Sequence, residues 1–215
     1  REAGEISITG VVQGVGFRPF VHRLAIRHGL SGWVRNDAGG VTILAEGPGH
    51  ALETFMEALH REAPPLARIH GLESRPVDTA VMTPAETGQP TVPEARGPED
   101  PEPPEEGLFR ILESRDQPDR RQPVSPDVAL CPTCQGELYD PENRRYQYPF
   151  ITCTDCGPRA TVIQAMPYDR ERTSMGSFRQ CPACLAEYRE PGDRRYHSET
   201  NSCSACGPRV WLEGV

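Results

Sequence analysis

All eight cysteines of the chain fall between Cys131 and Arg209, and they are arranged twice over. Cys131-Pro-Thr-Cys134 is followed, eighteen residues later, by Cys153-Thr-Asp-Cys156-Gly157-Pro158-Arg159. Cys181-Pro-Ala-Cys184 is followed, at the same interval, by Cys203-Ser-Ala-Cys206-Gly207-Pro208-Arg209. A shift of 50 carries the first set onto the second, and Pro132/Pro182, Glu137/Glu187 and Arg144-Arg145-Tyr146/Arg194-Arg195-Tyr196 obey it too. Two copies of C-x2-C-x18-C-x2-C at one period describe a duplicated metal-binding unit with four-cysteine zinc spacing.

Two cysteines separated by two residues place both sulfurs on one ion while the chain turns around it. A second such turn completes the tetrahedron that zinc accepts without electronic preference. Two structural zinc ions are therefore expected. Cys131, Cys134, Cys153 and Cys156 would hold one, and Cys181, Cys184, Cys203 and Cys206 the other, since crossed pairings close longer loops. The glycine after Cys156 and after Cys206 can take a positive φ and turn amides toward the thiolates. A disulfide set would need an oxidising compartment, and neither half carries the βαβ context of a dithiol redox site. His197 lies between the cysteine pairs of the second unit but is read as a non-ligand, because four sulfurs already close the site.

With 215 residues there is room for two small domains. No charged-then-apolar leader and no apolar run approaching twenty residues is visible, so neither export nor a membrane span is expected. Metal-spaced cysteines with none left over agree with the cytoplasm. The formal charge of −8 is unevenly spread: Asp78 to Gly107 holds eight acids against Arg96 alone. What remains has no dominant basic face, which argues against nucleic acid as a partner.

Glu5 to Val12 alternates with Ile6 and Ile8 on one face and predicts a strand. Phe17, Val21, Leu24 and His28 recur at helical spacing, with Pro19 in the first turn and Gly29 at the end. Gly32–Asn36 and Val41–Glu46 predict a hairpin around the turn Asp37–Gly40. Leu52, Phe55, Met56 and Leu59 mark a second amphipathic helix, and Arg68–Val77 and Leu108–Ser114 two further strands. The order β-α-β-β-α-β with one added strand is the ferredoxin-like α+β pattern, with both helices on one face of an antiparallel sheet. Domain limits follow: 1–116 for this unit, 117–126 as linker, and 127–215 for the cysteine module, with repeats at about 127–160 and 177–210. The acidic, proline-rich stretch at about 78–107 is expected to be a disordered insertion. Ser125-Pro126-Asp127 is read as a helix cap opening the module.

Gln13-Gly14-Val15-Gly16-Phe17-Arg18-Pro19 sits where the first strand gives way to the first helix. Such a turn aims successive amides, backed by the helix dipole, at one point, and Arg18 can grip an anion with a two-pronged guanidinium. Pro19 stands where a dinucleotide fingerprint needs its third glycine. Together with Gly32-Trp33-Val34-Arg35-Asn36, the loop resembles the signature of acylphosphatases. That resemblance implies a loop that cradles the phosphate of a carboxylic-phosphoric anhydride through the amides of Gly14, Val15, Gly16, Phe17 and Arg18. It implies that the Arg18 side chain binds phosphate and that Asn36 holds the attacking water.

An acylphosphatase-like unit joined to two such cysteine repeats is similar to the N-terminal part of the HypF family, carbamoyltransferases of NiFe-hydrogenase maturation. Tyr148-Pro-Phe-Ile-Thr-Cys-Thr-Asp-Cys-Gly-Pro-Arg159 and Met166-Pro-Tyr-Asp-Arg170 look like that family's finger region. The resemblance implies hydrolysis of carbamoyl phosphate in the first domain. It implies adenylylation of the carbamate with ATP in domains downstream, and transfer to HypE for cyanide-ligand synthesis. The chain is then expected to be an N-terminal fragment. Two other readings compete: a free-standing acylphosphatase with a structural zinc appendage, and a zinc-finger binding module carried by Arg144-Arg145 and Arg194-Arg195. With every proposed catalytic residue in the first domain, that domain is expected to work without the zinc module.

Overall fold

Ile6 and Ile8 are 2% and 1% exposed, and their alternation along one strand explains why the sheet buries the face it does. A computed structural model describes residues 1–37, 39–77, 109–115 and 123–214. Its first half runs β1 (Glu2–Val11), α1 (Phe17–Arg27), β2 (Ser31–Asp37), β3 (Gly40–Gly47), α2 (Gly49–Arg61), β4 (Arg68–Val77) and β5 (Phe109–Ile111). The five-stranded sheet has the order β4-β1-β3-β2-β5. β1 pairs antiparallel with β3 and β4, β2 antiparallel with β3, and β5 joins β2 in parallel. Val21 and Leu24 of α1 and Phe55 and Leu59 of α2 share one buried cluster with Ile6, Ile8, Val34 and Ile43. This is the expected ferredoxin-like arrangement. The fifth strand is shorter than its apolar pattern suggests, although Leu112 N–H still reaches the Val34 carbonyl and Arg115 N–H that of Asn36. The acidic stretch at about 78–107 lies outside the described residues, as does the linker up to residue 122.

The cysteine module holds α3 (Pro132–Tyr139) and α4 (Pro182–Arg189). Proline opens each helix, where its missing N–H costs nothing. Cys131 is the residue before α3, and its sulfur accepts from the Cys134 amide at 3.4 Å. The expected cap at Ser125-Pro126-Asp127 is therefore not one. Residues 123–130 are not helical, and the Asp127 carboxylate instead accepts from the Ala160 amide. The knuckle glycines also differ: Gly157 has φ 62°, whereas Gly207 is not left-handed. A Cβ on Gly207 would lie 1.9 Å from the Tyr148 hydroxyl, so close approach demands glycine there.

The two repeats grip each other reciprocally. Arg145 forks onto Glu187 and donates through Nε to the Ser202 carbonyl at 2.9 Å. Arg195 forks onto Glu137 and donates through Nε to the Thr152 carbonyl at 3.0 Å. Each partner is shifted by the same 50 residues, so the pairs are related by a local two-fold. Arg145 and Arg195 are only 2% and 3% exposed, which removes the inner arginine of each pair from any outward-facing surface. Among the described residues, no helix is long and apolar enough to cross a membrane.

Candidate functional site

The loop between β1 and α1 holds two left-handed residues, Gly14 and Gly16, each with φ 71°. Gly16 precedes α1 without any side-chain cap, and the first turn carries no acid. The first-turn amides thus have no intrahelical acceptor and face outward with the positive end of the helix dipole. Val15 and Phe17 are each 1% exposed and belong to the core. Their side chains anchor the loop, and only their amides can serve an anion. Gln13 ties the loop to the hairpin, donating to the carbonyls of Asp37 and Gly40 at 2.8 Å each.

Arg18 and Asn36, expected to act together, meet in space. Asn36 lies 1% exposed at the end of β2. With its amide oxygen turned to the guanidinium, it accepts from Arg18 Nε at 3.2 Å and from Nη2 at 3.3 Å. The loop, Arg18, Pro19 and Asn36 line one small pocket.

The remaining wall of that pocket comes from the cysteine module, which the sequence did not signal. A Cβ on Gly16 would come within 2.9 Å of the Thr154 Cβ, and one on Gly14 within 3.2 Å of Pro158. The Tyr168 amide donates to Gln13 Oε1 at 3.0 Å. Arg18 Nη1 donates to Asp169 at 3.0 Å and to Ser114 at 3.3 Å. Its Nη2 donates to Glu199 at 2.9 Å and to the Tyr168 carbonyl at 3.1 Å. Two carboxylates hold the Arg18 guanidinium above its ordinary pKa despite complete burial. One guanidinium is shared between Glu199 and the half-buried Asp169, and burial lifts Glu199 to about 7. His197, which also lines the pocket, sits between Tyr188, tilted to it at 4.8 Å, and Tyr196, edge-on at 4.7 Å. Burial and the Arg18 charge push it down to about 3, so it is neutral.

The eight cysteines form two groups, Cys131/Cys134/Cys153/Cys156 and Cys181/Cys184/Cys203/Cys206, whose four sulfurs lie within 4.8 Å of one another. His197 is in neither group. No disulfide joins them. The sulfur pairs measure 3.6 to 3.8 Å, and a tetrahedron with Zn–S of about 2.3 Å has an edge of about 3.8 Å. The donor set therefore fits zinc in both groups. Arg144 donates to Cys184 and Arg194 to Cys134, each at 3.2 Å. Each repeat thus supplies a cation to the other's sulfurs, a support thiolates need when they carry net negative charge.

Residues 4–82 match the model of the acylphosphatase family, and residues 130–163 and 181–213 each match that of the HypF finger. The chain is 47% identical over 176 residues to the carbamoyltransferase HypF2 of Cupriavidus necator, covering 81% of this chain and 19% of that protein. It is 52% identical over 67 residues to an acylphosphatase of Salinibacter ruber, covering 31% of this chain and 70% of that one. A crystal structure of full-length HypF in its phosphate- and nucleotide-bound form superposes with a TM-score of 0.80 at 39% identity, covering 97% of this chain and 24% of that one. The chain spans about a fifth of the length of the curated carbamoyltransferases it matches.

Proposed function

The first domain belongs to the acylphosphatase family and the chain corresponds to the N-terminal region of the HypF carbamoyltransferases, and from that premise we propose that it hydrolyses carbamoyl phosphate to carbamate and phosphate. The observation that carries this reading is the meeting of Arg18 Nε with Asn36 at the mouth of an uncapped glycine loop. Loop amides and Arg18 would hold the phosphoryl oxygens, the Nε edge exchanging Asn36 for phosphate. Asn36 would then fix a water beside the carbamoyl carbon, replacing an entropic search by position. Water adds to that carbon, the bond to the bridging oxygen breaks, and the bond electrons leave with phosphate, which takes one of the water's protons while the other goes to solvent. The charge growing on the leaving group is met by amides and guanidinium already in place.

The two cysteine groups would each hold one structural zinc, taking no part in the hydrolysis. By analogy with the whole HypF proteins, the carbamate would pass to domains that use ATP and on to HypE, in the cytoplasm where thiolate sites stay reduced. A nucleic-acid-binding role for the fingers has no support, because the paired arginines are engaged with Glu137, Glu187 and the cysteines.

The test is phosphate release from carbamoyl phosphate. Arg18→Ala is expected to weaken substrate binding strongly, and Asn36→Ala to lower kcat more than it raises KM. Arg18→Lys should not rescue, since a point charge cannot reproduce the fork. Equal and small effects from Arg18→Ala and Asn36→Ala would exclude this loop as the site.

A further inference from the structure

The two carboxylates that meet Arg18 come from more than 150 residues away, and the loop motif does not require them. Asp169, Glu199, the Tyr168 carbonyl and Ser114 together occupy the outer edge of the guanidinium. Ser114 also donates to Asp169 at 2.8 Å, which fixes the acceptor. The Nε–Nη2 side then faces Asn36. An unrestrained arginine would spread over many rotamers, whereas this one is aimed before any anion arrives.

Glu199 is itself held from several elements. The Tyr188 hydroxyl donates to its two oxygens at 3.3 and 3.1 Å, and the Arg170 amide donates at 3.3 Å. The Arg170 guanidinium donates to the Glu199 carbonyl at 2.7 Å. The charged and titratable groups around this carboxylate are Arg18, Asp169, Arg170, Tyr168 and Tyr188, with Glu113, Glu171 and neutral His197 lining the same cavity. The first repeat has nothing comparable. The residue 50 positions earlier is Pro149, which is exposed, and the counterpart of Tyr188 is Leu138. A buried acid has been placed in one repeat alone, at the point where that repeat touches Arg18.

We propose that Glu199 and Asp169 are positioning residues of the phosphate site, so that the finger module completes a site only partly built by the glycine loop. This rests on the reading of the loop as an acyl-phosphate site. Neither residue touches the reacting atoms. Both act by aiming the Arg18 guanidinium.

The experiment measures carbamoyl phosphate hydrolysis and competitive inhibition by inorganic phosphate in the full chain, at a pH above the Glu199 transition. Glu199→Ala is expected to raise KM and the phosphate inhibition constant about tenfold or more while kcat changes less, because a misaimed guanidinium binds ground and transition states alike less well. Asp169→Asn should act in the same direction. Glu199→Gln keeps an acceptor oxygen without the charge and should fall between Glu199→Ala and wild type. Zinc content, read in the same preparations, should match wild type. If the alanine variant loses zinc, the isosteric Glu199→Gln and Asp169→Asn variants decide the matter. Unchanged KM and inhibition constant in the zinc-loaded variants, with Arg18→Ala inactive, would overturn the positioning role and leave the acyl-phosphate reading standing. Wild-type hydrolysis by Arg18→Ala would overturn both.

Discussion

Stripping zinc should silence the first domain without unfolding it. A structural zinc site contributes on the order of 10–16 kcal/mol of apparent binding energy, against the roughly 5–15 kcal/mol net stability of a whole domain. Besides cysteines, the buried apolar side chains among the module's described residues are Tyr148, Ile151, Tyr168, Met175 and Tyr196. Five such side chains supply about 8–15 kcal/mol, far below the roughly 1–2 kcal/mol per residue that ordering some ninety residues costs, so the fold fails once the sulfurs lose their ion. Chelation should therefore unfold the chain beyond residue 123. The first domain keeps its cluster of Ile6, Ile8, Phe17, Val34, Ile43, Phe55 and Leu59 and should stay resistant to protease. Arg18, however, loses the Tyr168 carbonyl, Asp169 and Glu199 at once, and Gln13 loses the Tyr168 amide. A guanidinium freed by an ångström or more costs about a hundredfold in a positioned reaction. The assay follows phosphate release from carbamoyl phosphate beside limited proteolysis, before and after an excess of strong chelator. Full hydrolysis by protein whose fingers have been digested would refute the reasoning and restore the independence that the sequence alone suggests.

Three further outcomes are expected. Arg145→Ala takes from Glu187, held near 2 by Arg145 and Arg144, its buried forked partner and leaves it Arg144 and the Asn201 amide. Breaking a buried pair costs about 3–5 kcal/mol, so faster zinc release to a chromogenic chelator should follow, and Arg195→Ala should mirror it; surface-like losses under about 0.5 kcal/mol would contradict the interlocked repeats. Glu199 sits at about 7 in the fold against an ordinary 4.5; a raised carboxyl contributes stability below the lower value and loses it as pH rises through the upper one. Glu199→Gln should thus gain about 3 kcal/mol over wild type above pH ~7 and nothing below pH ~4.5, read by thermal melting across pH; a flat difference would mean Glu199 is not strained. Gly16→Ala combines a left-handed φ with a Cβ only 2.9 Å from Thr154, so a loss of about 1–2 kcal/mol for the conformation alone should be joined by weaker phosphate inhibition, and wild-type behaviour on both counts would show that the fingers do not press on this loop.

Much of the fold was legible because it rests on local periodicity. Ile6 and Ile8 alternate, Phe17, Val21 and Leu24 recur at helical spacing, and Arg68–Val77 emerges with the limits its pattern suggests. Arg18 and Asn36 were legible for a different reason: a glycine loop and a hairpin strand each carry a short motif, and the fold brings the two motifs together. The other half of the site carries motifs too, at 148–159 and 166–170, but nothing in them pointed to the loop. Tyr168 contributes main-chain groups, which any residue supplies, and Asp169 lies between the repeats in a stretch with no periodicity. Thr154 and Pro158 meet the loop through shape alone.

A signal for Glu199 was nevertheless present in the repeat. Where the two halves must hold each other, they match: Arg145 answers Arg195, Glu137 answers Glu187, and Thr152 and Ser202 offer the same carbonyl. Where the second half turns toward Arg18, the correspondence breaks, with Leu138 against Tyr188, Gln147 against His197, and Pro149 against Glu199. Gln147 and His197 even share a left-handed backbone, with φ 53° and 49°, so the main chain repeats while the side chain does not. Equal backbones carrying unequal polar side chains mean that these positions answer to something outside the repeat. In this chain their neighbour outside the repeat is Arg18 at the glycine loop, and a duplicated scaffold can supply it because the pairs that lock the two halves together lie elsewhere.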